Sequence, residues 1–261
     1  MEERSVSIYQ YNINPHEPEM NFSAIQASAK KASESGSSLL VLPELCLHGY
    51  NYEKIPSQNR WSLPTMSDEI GKIARSNSIA IAGTFVEFHQ GNYFNSFVFV
   101  DSEGTLLHTY RKIHLFGSLG EGRFFTAGDS IAPFSSTFGI AGSGICYDLR
   151  FPEVFRKLVL AGSRLIIIPA EWPASRIEHW RVLLQARAIE NQVFVIGVNC
   201  TGNVLGFEYG GHSAVISPWG KILGELDDQE DFLTVKIDLD EVEQVRNRIP
   251  VWADRKPGIY S

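Results

Sequence analysis

Three short apolar runs constrain the fold of this chain most strongly. Residues 39–42 (LLVL) are followed by Pro43, residues 165–168 (LIII) are followed by Pro169, and residues 193–198 (VFVIGV) carry no charge. Short apolar runs bounded by turn residues are typical of strands that are buried on both faces of a sheet. Because segments with helical periodicity lie between them, the sequence predicts an α/β protein.

The balance of strands and helices narrows the architecture further. Helices are predicted at residues 17–35, 68–77, 151–161 and 178–191, and the clearest of about a dozen predicted strands lie at 6–11, 79–88, 95–101, 106–110, 139–145, 212–217 and 232–237. A single doubly wound sheet needs a crossover helix for each parallel pair of strands, and the helices are too few for that. Two mixed sheets packed face to face, with helices outside, fit the count better. No internal repeat or linker appears, so we expect one domain over residues 1–261.

Composition argues against several classes of function. The formal net charge is -7 and no basic run occurs, so nucleic-acid binding has no electrostatic support. No apolar run approaches the length of a membrane span and the first residues lack a signal-peptide core, so we expect a cytoplasmic protein without a membrane partner. The three cysteines form no C-x-x-C pair, which argues against a disulfide framework and a zinc site. We therefore expect no metal and no cofactor.

One cysteine stands out in the stretch 135–153 (SSTFGIAGSGICYDLRFPE). Cys146 follows a small apolar run, and Pro152 suits the first position of a helix. We therefore place Cys146 at the end of a strand or in the turn after it, where the dipole of the incoming helix favours the reactive thiolate. Taken alone, Cys146 also fits a buried cysteine that packs as a small hydrophobic residue.

Two further residues lie where a predicted strand enters a loop. Glu44 follows VLP at 41–43 and is either a partly desolvated general base or a carboxylate that caps the loop or pairs with an arginine. Lys112 either stabilises an oxyanion and a thiolate or is an ordinary solvated lysine. In open α/β sheets, ligands bind beyond the carboxyl ends of the strands. At such an edge Glu44, Lys112 and Cys146 could supply proton transfer, charge stabilisation and attack, which suffices for acyl transfer through a thioester.

Three motifs in this order resemble the nitrilase superfamily of carbon–nitrogen hydrolases. They are LPEL around Glu44, YRKIHLFG around Lys112 and GICYDLRFPE around Cys146, and the wider resemblance runs from residue 6 to about residue 256. The resemblance implies a four-layer αββα sandwich, with Glu44 as general base, Lys112 as electrostatic stabiliser and Cys146 as nucleophile. It also implies that Glu121 lies near the lysine and the substrate. The backbone N–H of Tyr147 is expected to form an oxyanion hole together with Lys112.

Residues after the cysteine narrow the expected reaction. CYDLRFP, EWPASR at 171–176 and QARAIEN at 185–191 resemble the omega-amidase branch and its close relatives that act on deaminated glutathione. This resemblance implies hydrolysis of a dicarboxylate monoamide to the acid and ammonia. The alternatives are an N-carbamoyl amino acid hydrolase and a deaminated-glutathione amidase of the same superfamily. A true nitrilase fits less well, because that group typically has Trp-Glu directly after the cysteine.

Two alternatives of other classes are a papain-like protease and a non-enzymatic scaffold. A papain-like protease would pair Cys146 with His179 or His212, but the sequence that flanks the cysteine in that family is absent. A non-enzymatic scaffold of the same fold would be indicated by loss of Glu44, Lys112 or Cys146, and none of the three is lost.

Other residues are candidates for the walls of the substrate pocket. Arg176, on a loop after a strand, is expected to pair with a substrate carboxylate through its guanidinium fork. Arg150 is expected instead to hold Asp148 or Glu153, and His114 to be a satisfied structural residue. The aromatic residues expected to wall the pocket are Phe116, Phe124, Phe125, Tyr147 and Trp172.

The outer helices indicate self-association. The helices predicted at 151–161 and 178–191 carry apolar residues on more than one face. A helix lying on a sheet buries only one stripe, and extra apolar surface on an outer layer is typical of a partner site. Since the nitrilase resemblance also implies dimers through such helices, we expect a homodimer that binds a small-molecule amide. The tail at 242–261 shows little periodicity and is expected to pack on the neighbouring subunit.

Overall fold

The computed structural model describes residues 3–63 and 65–260, with side chains throughout except at 59–61. The strands are β1 (Glu3–Gln10), β2 (Leu39–Val41), β3 (Ala80–His89), β4 (Asn92–Val100), β5 (Leu106–Arg111), β6 (Phe134–Ser136), β7 (Gly139–Ser143), β8 (Leu165–Ala170), β9 (Phe194–Asn199), β10 (Thr201–Val204), β11 (Phe207–Gly210), β12 (Ala214–Ile216), β13 (Ile222–Glu225) and β14 (Asp231–Asp238). The α-helices are α1 (Pro18–Glu34), α2 (Thr65–Asn77), α3 (Pro152–Leu160), α4 (Ile177–Asn191), α5 (Glu241–Arg248), α6 (Val251–Asp254) and α7 (Pro257–Tyr260). Short 3-10 turns lie at Ile55–Trp61, Gly117–Leu119, Glu121–Arg123, Cys146–Arg150 and Ala174–Arg176. The predicted limits at residues 1 and 261 lie outside the described residues.

Within the described chain the strands form two six-stranded mixed sheets and one hairpin. The first sheet has the order β14-β1-β2-β3-β4-β5, the second has the order β13-β12-β9-β8-β7-β6, and β10 pairs with β11. Three neighbouring strands are parallel in each sheet, β1-β2-β3 in the first and β7-β8-β9 in the second. The three apolar runs correspond to β2, β8 and β9, whose residues are all buried. The prediction of two mixed sheets is confirmed.

Apolar residues on both faces of the parallel strands create the layers. Leu39 and Val41 of β2 pack in one core with Leu165 and Ile167 of β8, which joins the two sheets face to face. Leu40, on the opposite face of β2, packs in a second core with the inner faces of α1 and α2. This alternation follows from the two-residue period of a strand.

The second sheet is covered on its outer face by α3 and α4. A Cβ at Gly197 in β9 would lie only 2.5 Å from a methyl carbon of Leu184 in α4, so glycine allows the helix to pack this closely. A Cβ at Gly142 in β7 would lie 2.9 Å from Leu158 of α3. With α1 and α2 on the other side, the layers run helix, sheet, sheet, helix, and the predicted αββα sandwich is confirmed.

The structure differs from the sequence prediction in three segments. The β10–β11 hairpin, most of which lies within 202–211, is not among the predicted strands, and neither is β13. The tail from 242 forms the helices α5, α6 and α7, and Val242 and Val245 bury one side of α5. That apolar stripe is too short to give a detectable period. Among the described residues, no helix is both long enough and apolar enough to span a membrane.

Candidate active site

The carboxylate of Glu44 lies at the edge of the first sheet, just beyond β2. It is fully buried, and its Oε1 accepts hydrogen bonds from the Tyr50 hydroxyl (2.7 Å), Asn95 Nδ2 (2.7 Å) and Lys112 Nζ (2.8 Å). Its Oε2 accepts a bond of 2.8 Å from the backbone N–H of Glu171. These four donors fix the carboxylate and compensate for its burial.

Lys112 follows the last residue of β5 and turns its ammonium group inward. Nζ donates to Glu44 Oε1 at 2.8 Å, to the Tyr50 hydroxyl at 3.0 Å and to both carboxyl oxygens of Glu121 at 2.9 Å. The side chain has no exposed surface, so the interpretation as a solvated lysine is wrong. Burial by itself lowers the pKa of Lys112, but Glu44 and Glu121 outweigh it and raise the pKa well above its usual value. Lys112 is therefore a permanent buried cation.

Glu121 lies in the 3-10 turn after Lys112 and completes the charged group. Its Oε2 accepts the backbone N–H of Phe116 at 2.6 Å, and Asn95 Nδ2 approaches Oε1 at 3.3 Å. Burial raises the pKa of this carboxyl and Lys112 opposes the shift. The structure places Glu121 beside the lysine, as expected, but behind it, and Glu121 does not line the adjoining cavity.

Cys146 opens the 3-10 turn at Cys146–Arg150, between β7 and α3. Its φ is 44°, a left-handed conformation that costs a non-glycine residue roughly 1–3 kcal/mol and persists only where the surroundings impose it. The side chain is 7% exposed and lines a cavity, whereas Cys46 and Cys200 are completely buried. The thiol contacts the backbone carbonyl of Glu171 at 3.8 Å, and the charges of Glu44 and Lys112 both act on it.

The surroundings keep the Cys146 thiol protonated in the resting protein. Burial raises the pKa of this thiol well above its usual value, and the Glu44 carboxylate raises it further while Lys112 opposes them. The expectation that a helix start would favour the thiolate is therefore wrong, because desolvation and a neighbouring carboxylate outweigh the dipole of a short turn. The neighbouring Glu44 carboxylate can instead accept the proton as the sulfur attacks.

Asp148 holds the Cys146 turn against the strand that carries Lys112. Its Oδ2 accepts hydrogen bonds from the Tyr110 hydroxyl (2.7 Å) and the Ile145 backbone N–H (2.9 Å). Its Oδ1 accepts the backbone N–H of His114 at 3.0 Å and lies 2.8 Å from Nδ1 of the same residue. His114 is therefore a satisfied structural residue, as predicted. The network ties the turn that begins at Cys146 to β5 and to the loop after it, next to Lys112.

Arg150 does not hold Asp148 or Glu153, so that prediction is wrong. The acceptors of Asp148 are already occupied, and the Arg150 guanidinium lies over the ring of Trp172, 4.6 Å from its centroid. On its other side it meets His179 Nδ1 at 3.4 Å. Arg150 thus projects into the cavity beside Cys146.

The cavity beside Cys146 has a volume of about 350 Å³. Its aromatic walls are Phe116, Tyr147 and Trp172, and both Arg150 and Arg176 reach it. The predicted pocket residues Phe116, Tyr147, Trp172 and Arg176 therefore lie together. Phe124 and Phe125 do not, because they pack on Tyr52 instead, at centroid distances of 5.2 and 5.9 Å.

Three residues of the site were missed by sequence reasoning. Asn95 is a buried amide in β4 and bridges Glu44 and Glu121, and a polar residue between Phe94 and Phe97 was a usable signal. Tyr50 lies in a loop, where nothing distinguished it from its neighbours. Glu171 was noted only as part of a motif, yet burial and then Glu44 raise the pKa of its carboxyl well above its usual value.

The two histidines of the protease alternative lie elsewhere. His179 faces Arg150, and His212 Nδ1 lies 3.1 Å from Glu225 Oε1. Neither lines the cavity that contains Cys146. Within the described part of the chain, no group of three or more His, Cys, Asp or Glu side chains is arranged to hold a metal ion.

Comparisons with known proteins agree with this geometry. The family model described as carbon-nitrogen hydrolase matches residues 5–247. The chain is 39% identical to a hydrolase in the agr operon of Staphylococcus aureus over 98% of this chain and 99% of the relative. It is 36% identical to a 2-oxoglutaramate amidase of Bacillus subtilis with the same coverage.

A solved structure adds chemical detail. A variant of an amidase from Nesterenkonia sp. AN1 superposes with a TM-score of 0.86 at 26% identity, over 98% of this chain and 95% of the other. That structure has the acetamide moiety of fluoroacetamide added covalently to the active-site cysteine. The family match covers most of the chain, and the chain belongs to the carbon–nitrogen hydrolase family.

Proposed function

We propose that this chain is an amidase that hydrolyses the C–N bond of small linear amides, with Cys146 as nucleophile, Glu44 as general base and Lys112 as electrostatic stabiliser. The observation that carries the proposal is that Glu44 and Lys112 meet, fully buried, behind the cavity that Cys146 lines. Lys112 Nζ lies 2.8 Å from Glu44 Oε1. The backbone of Glu171 links Glu44 to Cys146, because its N–H donates to Glu44 Oε2 at 2.8 Å and its carbonyl contacts the thiol at 3.8 Å. The chain's relatives include proteins named amidases, which supports the same reaction.

The geometry supports a two-stage reaction. Glu44 takes the thiol proton as the sulfur attacks the amide carbon, and the negative oxygen that forms is stabilised by Lys112 and the backbone N–H of Tyr147. Tyr147 is the second residue of its 3-10 turn, where backbone N–H groups have no partner within the turn. Glu44 then passes its proton to the nitrogen, and ammonia leaves. Water attacks the thioester with Glu44 again as base, which releases the acid and restores the thiol.

The two arginines favour an anionic substrate. Among the described residues, neither Arg150 nor Arg176 pairs with a carboxylate, although both reach the cavity. Burial lowers the pKa of Arg150, and the positive charge of Arg176 adds to this. A substrate carboxylate would relieve the repulsion and accept forked hydrogen bonds. We therefore propose amides that carry a second carboxyl group, the class to which the names 2-oxoglutaramate amidase and omega-amidase of its relatives point.

A panel of amides tests both the reaction and the substrate class. The wild-type protein should release ammonia from monoamides of dicarboxylic acids with a higher kcat/KM than from neutral amides of equal length. Arg176→Met and Arg150→Met should each raise KM for the carboxylated amides by about 10- to 100-fold, because each removes charged hydrogen bonds worth roughly 1.5–3 kcal/mol. Neutral amides should be hydrolysed as by the wild type.

Arg123→Met is the matched control, because Arg123 is exposed and outside the cavity. Ureido acids and nitriles belong in the same panel. A higher kcat/KM for ureido acids would replace the proposal with the carbamoyl hydrolase alternative. Equal loss on neutral and carboxylated amides would contradict the assigned role of the arginines.

We further propose that the protein is a homodimer of a reducing, cytoplasmic compartment, where the cysteine nucleophile stays a free thiol. Val182 and Ile189 lie seven residues apart on one face of α4 and are 61% and 54% exposed. Trp219 and Ile249, also exposed, extend this apolar surface, since the turn at Gly220 packs on Ile189 and the Ile249 carbonyl bonds to the end of α4. Two copies can cover it through a two-fold contact, with the tail beyond α5 on the neighbouring subunit.

Light scattering should therefore give a mass of twice 29.2 kDa at micromolar concentration. The double substitution Val182→Glu and Ile189→Glu should yield monomers, because it buries charge in the contact. Met20→Glu, at an equally exposed apolar residue of α1, should leave the dimer intact. A wild-type mass near 29.2 kDa would overturn the proposed assembly.

A further inference from the structure

A second cavity of about 270 Å³ adjoins the catalytic one. Tyr50, Ser118 and Leu119 line both cavities and form the boundary between them. The far side of the second cavity is formed mainly by apolar side chains of the β10–β11 hairpin, namely Val204, Leu205 and Phe207. We call this space the apolar annex. It shares this wall with the site at Cys146.

The tip of the hairpin combines a strained backbone with exposed apolar side chains. Val204 pairs with Phe207, so the turn consists of Leu205 and Gly206, with φ of 52° and 83°. Turns with two positive φ values favour Asn or Asp followed by Gly, and leucine is strained there. Leu205 and Phe207 are nevertheless 45% and 49% exposed. Both the strain and the exposure are explained if these side chains contact a ligand in the annex.

Tyr50 shows where the annex lies relative to the catalytic groups. Its hydroxyl donates to Glu44 Oε1 at 2.7 Å and accepts from Lys112 Nζ at 3.0 Å, so it stands between the annex and the base. Arg150 and Arg176 line the catalytic cavity but not the annex. If the acyl chain places its carboxylate at the arginines, the amide nitrogen, which takes a proton from Glu44, faces Tyr50. The annex then lies where a substituent on that nitrogen would project.

We propose that the apolar annex binds an apolar substituent on the amide nitrogen, so that the protein also hydrolyses secondary amides and releases primary amines. This inference rests on the amidase function proposed above. The Cys146 sulfur bonds to the carbonyl carbon, and the C–N bond breaks. Its electron pair stays on nitrogen, which takes the proton held by Glu44 and leaves as R–NH₂. Water then hydrolyses the thioester, and no other reactant is needed.

The size of the annex defines the class of substituent. An apolar protein cavity of about 150 Å³ accommodates benzene. The annex is larger than that, so a benzyl group fits with its ring among Val204, Leu205 and Phe207. The preferred substrates are therefore N-benzyl or similar N-alkyl amides of a dicarboxylic acid, with the free carboxylate at the arginines.

The test compares glutaric acid monoamide with its N-benzyl derivative, with glutarate measured for both and benzylamine for the second. The wild-type protein should hydrolyse both. Leu205→Asn, which suits the turn, and Phe207→Ser should each lower kcat/KM for the N-benzyl amide by about tenfold or more, since they remove apolar contact with the ring. Both variants should hydrolyse the primary amide within about twofold of wild type, because the annex is then empty.

Phe88→Ser is the matched control, because Phe88 on β3 is 41% exposed and does not line the annex. Hydrolysis of the primary amide without any release of benzylamine would overturn the annex and leave the proposed function intact. Failure on both amides would refute the proposed function instead, and the annex proposal with it. Wild-type release of benzylamine by both hairpin variants would also overturn the assignment.

Discussion

Cys146→Ala is expected to abolish amide hydrolysis while leaving the protein folded. The substitution removes the proposed nucleophile, and loss of such a group typically costs at least about 10⁴-fold in kcat. The fold should persist, because the change is small and the Asp148 network that holds the turn involves the backbone of Ile145 rather than the cysteine side chain. Ammonia release and thermal unfolding, measured on the same preparation, check both parts.

Cys46→Ala is the matched control for this prediction. Cys46 is also a buried free thiol, but it donates to the Thr84 carbonyl at 3.3 Å and does not line the cavity. That variant should keep its activity. Alkylation followed by intact-mass measurement should add one label to the wild-type protein and none to Cys146→Ala, because only Cys146 of the three cysteines has exposed surface. Ammonia release at the wild-type rate by a folded Cys146→Ala protein would refute the mechanism.

The sequence was most informative where local chemistry and strand patterning coincide. Glu44 follows the apolar strand β2, Lys112 follows β5 and Cys146 lies just beyond β7, so their meeting near the carboxyl ends of strands could be predicted before the pairing of strands was known. The buried runs likewise predicted the central strands of both sheets. These predictions need only the sequence of each strand and of the loop that follows it.

Predictions failed where they depended on which distant residues meet. The sequence suggested that Asp148 pairs with Arg150. In the structure Tyr110 of β5 and His114 of the following loop hydrogen-bond with both Asp148 carboxyl oxygens. The protonated state of Cys146 depends on burial and on Glu44. The residues next to Cys146 in the sequence do not predict either of them. The β10–β11 hairpin escaped detection because Leu205 occupies a turn position where Asn or Asp is the usual signal.

Lys112→Met should remove both activity and a large part of the stability. Lys112 is the shared partner of the Glu44 and Glu121 carboxylates, and all three side chains are fully buried. Breaking a buried ion pair by removing one partner costs roughly 3–5 kcal/mol, because a buried charge is left uncompensated. Hydrolysis should stop, since the developing oxyanion and the Glu44 carboxylate both lose their counter-charge. Denaturant unfolding and ammonia release measure the two effects.

Lys72→Met is the matched control for Lys112→Met, because it removes the lysine of an exposed ion pair. Lys72 makes an ion pair of similar length with Glu69, at 2.7 Å, but its side chain is 66% exposed. Solvent-exposed pairs contribute little to stability. This variant should therefore unfold at a denaturant concentration close to that of the wild type and retain activity. Equal loss of stability in the two variants would contradict the assigned role of burial at Lys112.

The stability deficit of Lys112→Met should grow as pH rises. Burial already raises the pKa of Glu121 in the wild type, and removing Lys112 removes the charge that opposes this shift. A carboxyl whose pKa is higher in the folded state stabilises the protein fully below its unfolded value, about 4.3, and loses that contribution as pH increases. The deficit should thus be small near that pH and larger at neutral pH.

Adding Glu121→Gln to Lys112→Met should restore part of the stability, because the amide oxygen still accepts a hydrogen bond from the Phe116 backbone N–H. It should not restore hydrolysis, which needs the lysine charge. A deficit independent of pH, or recovered activity in the double variant, would contradict this account of Lys112.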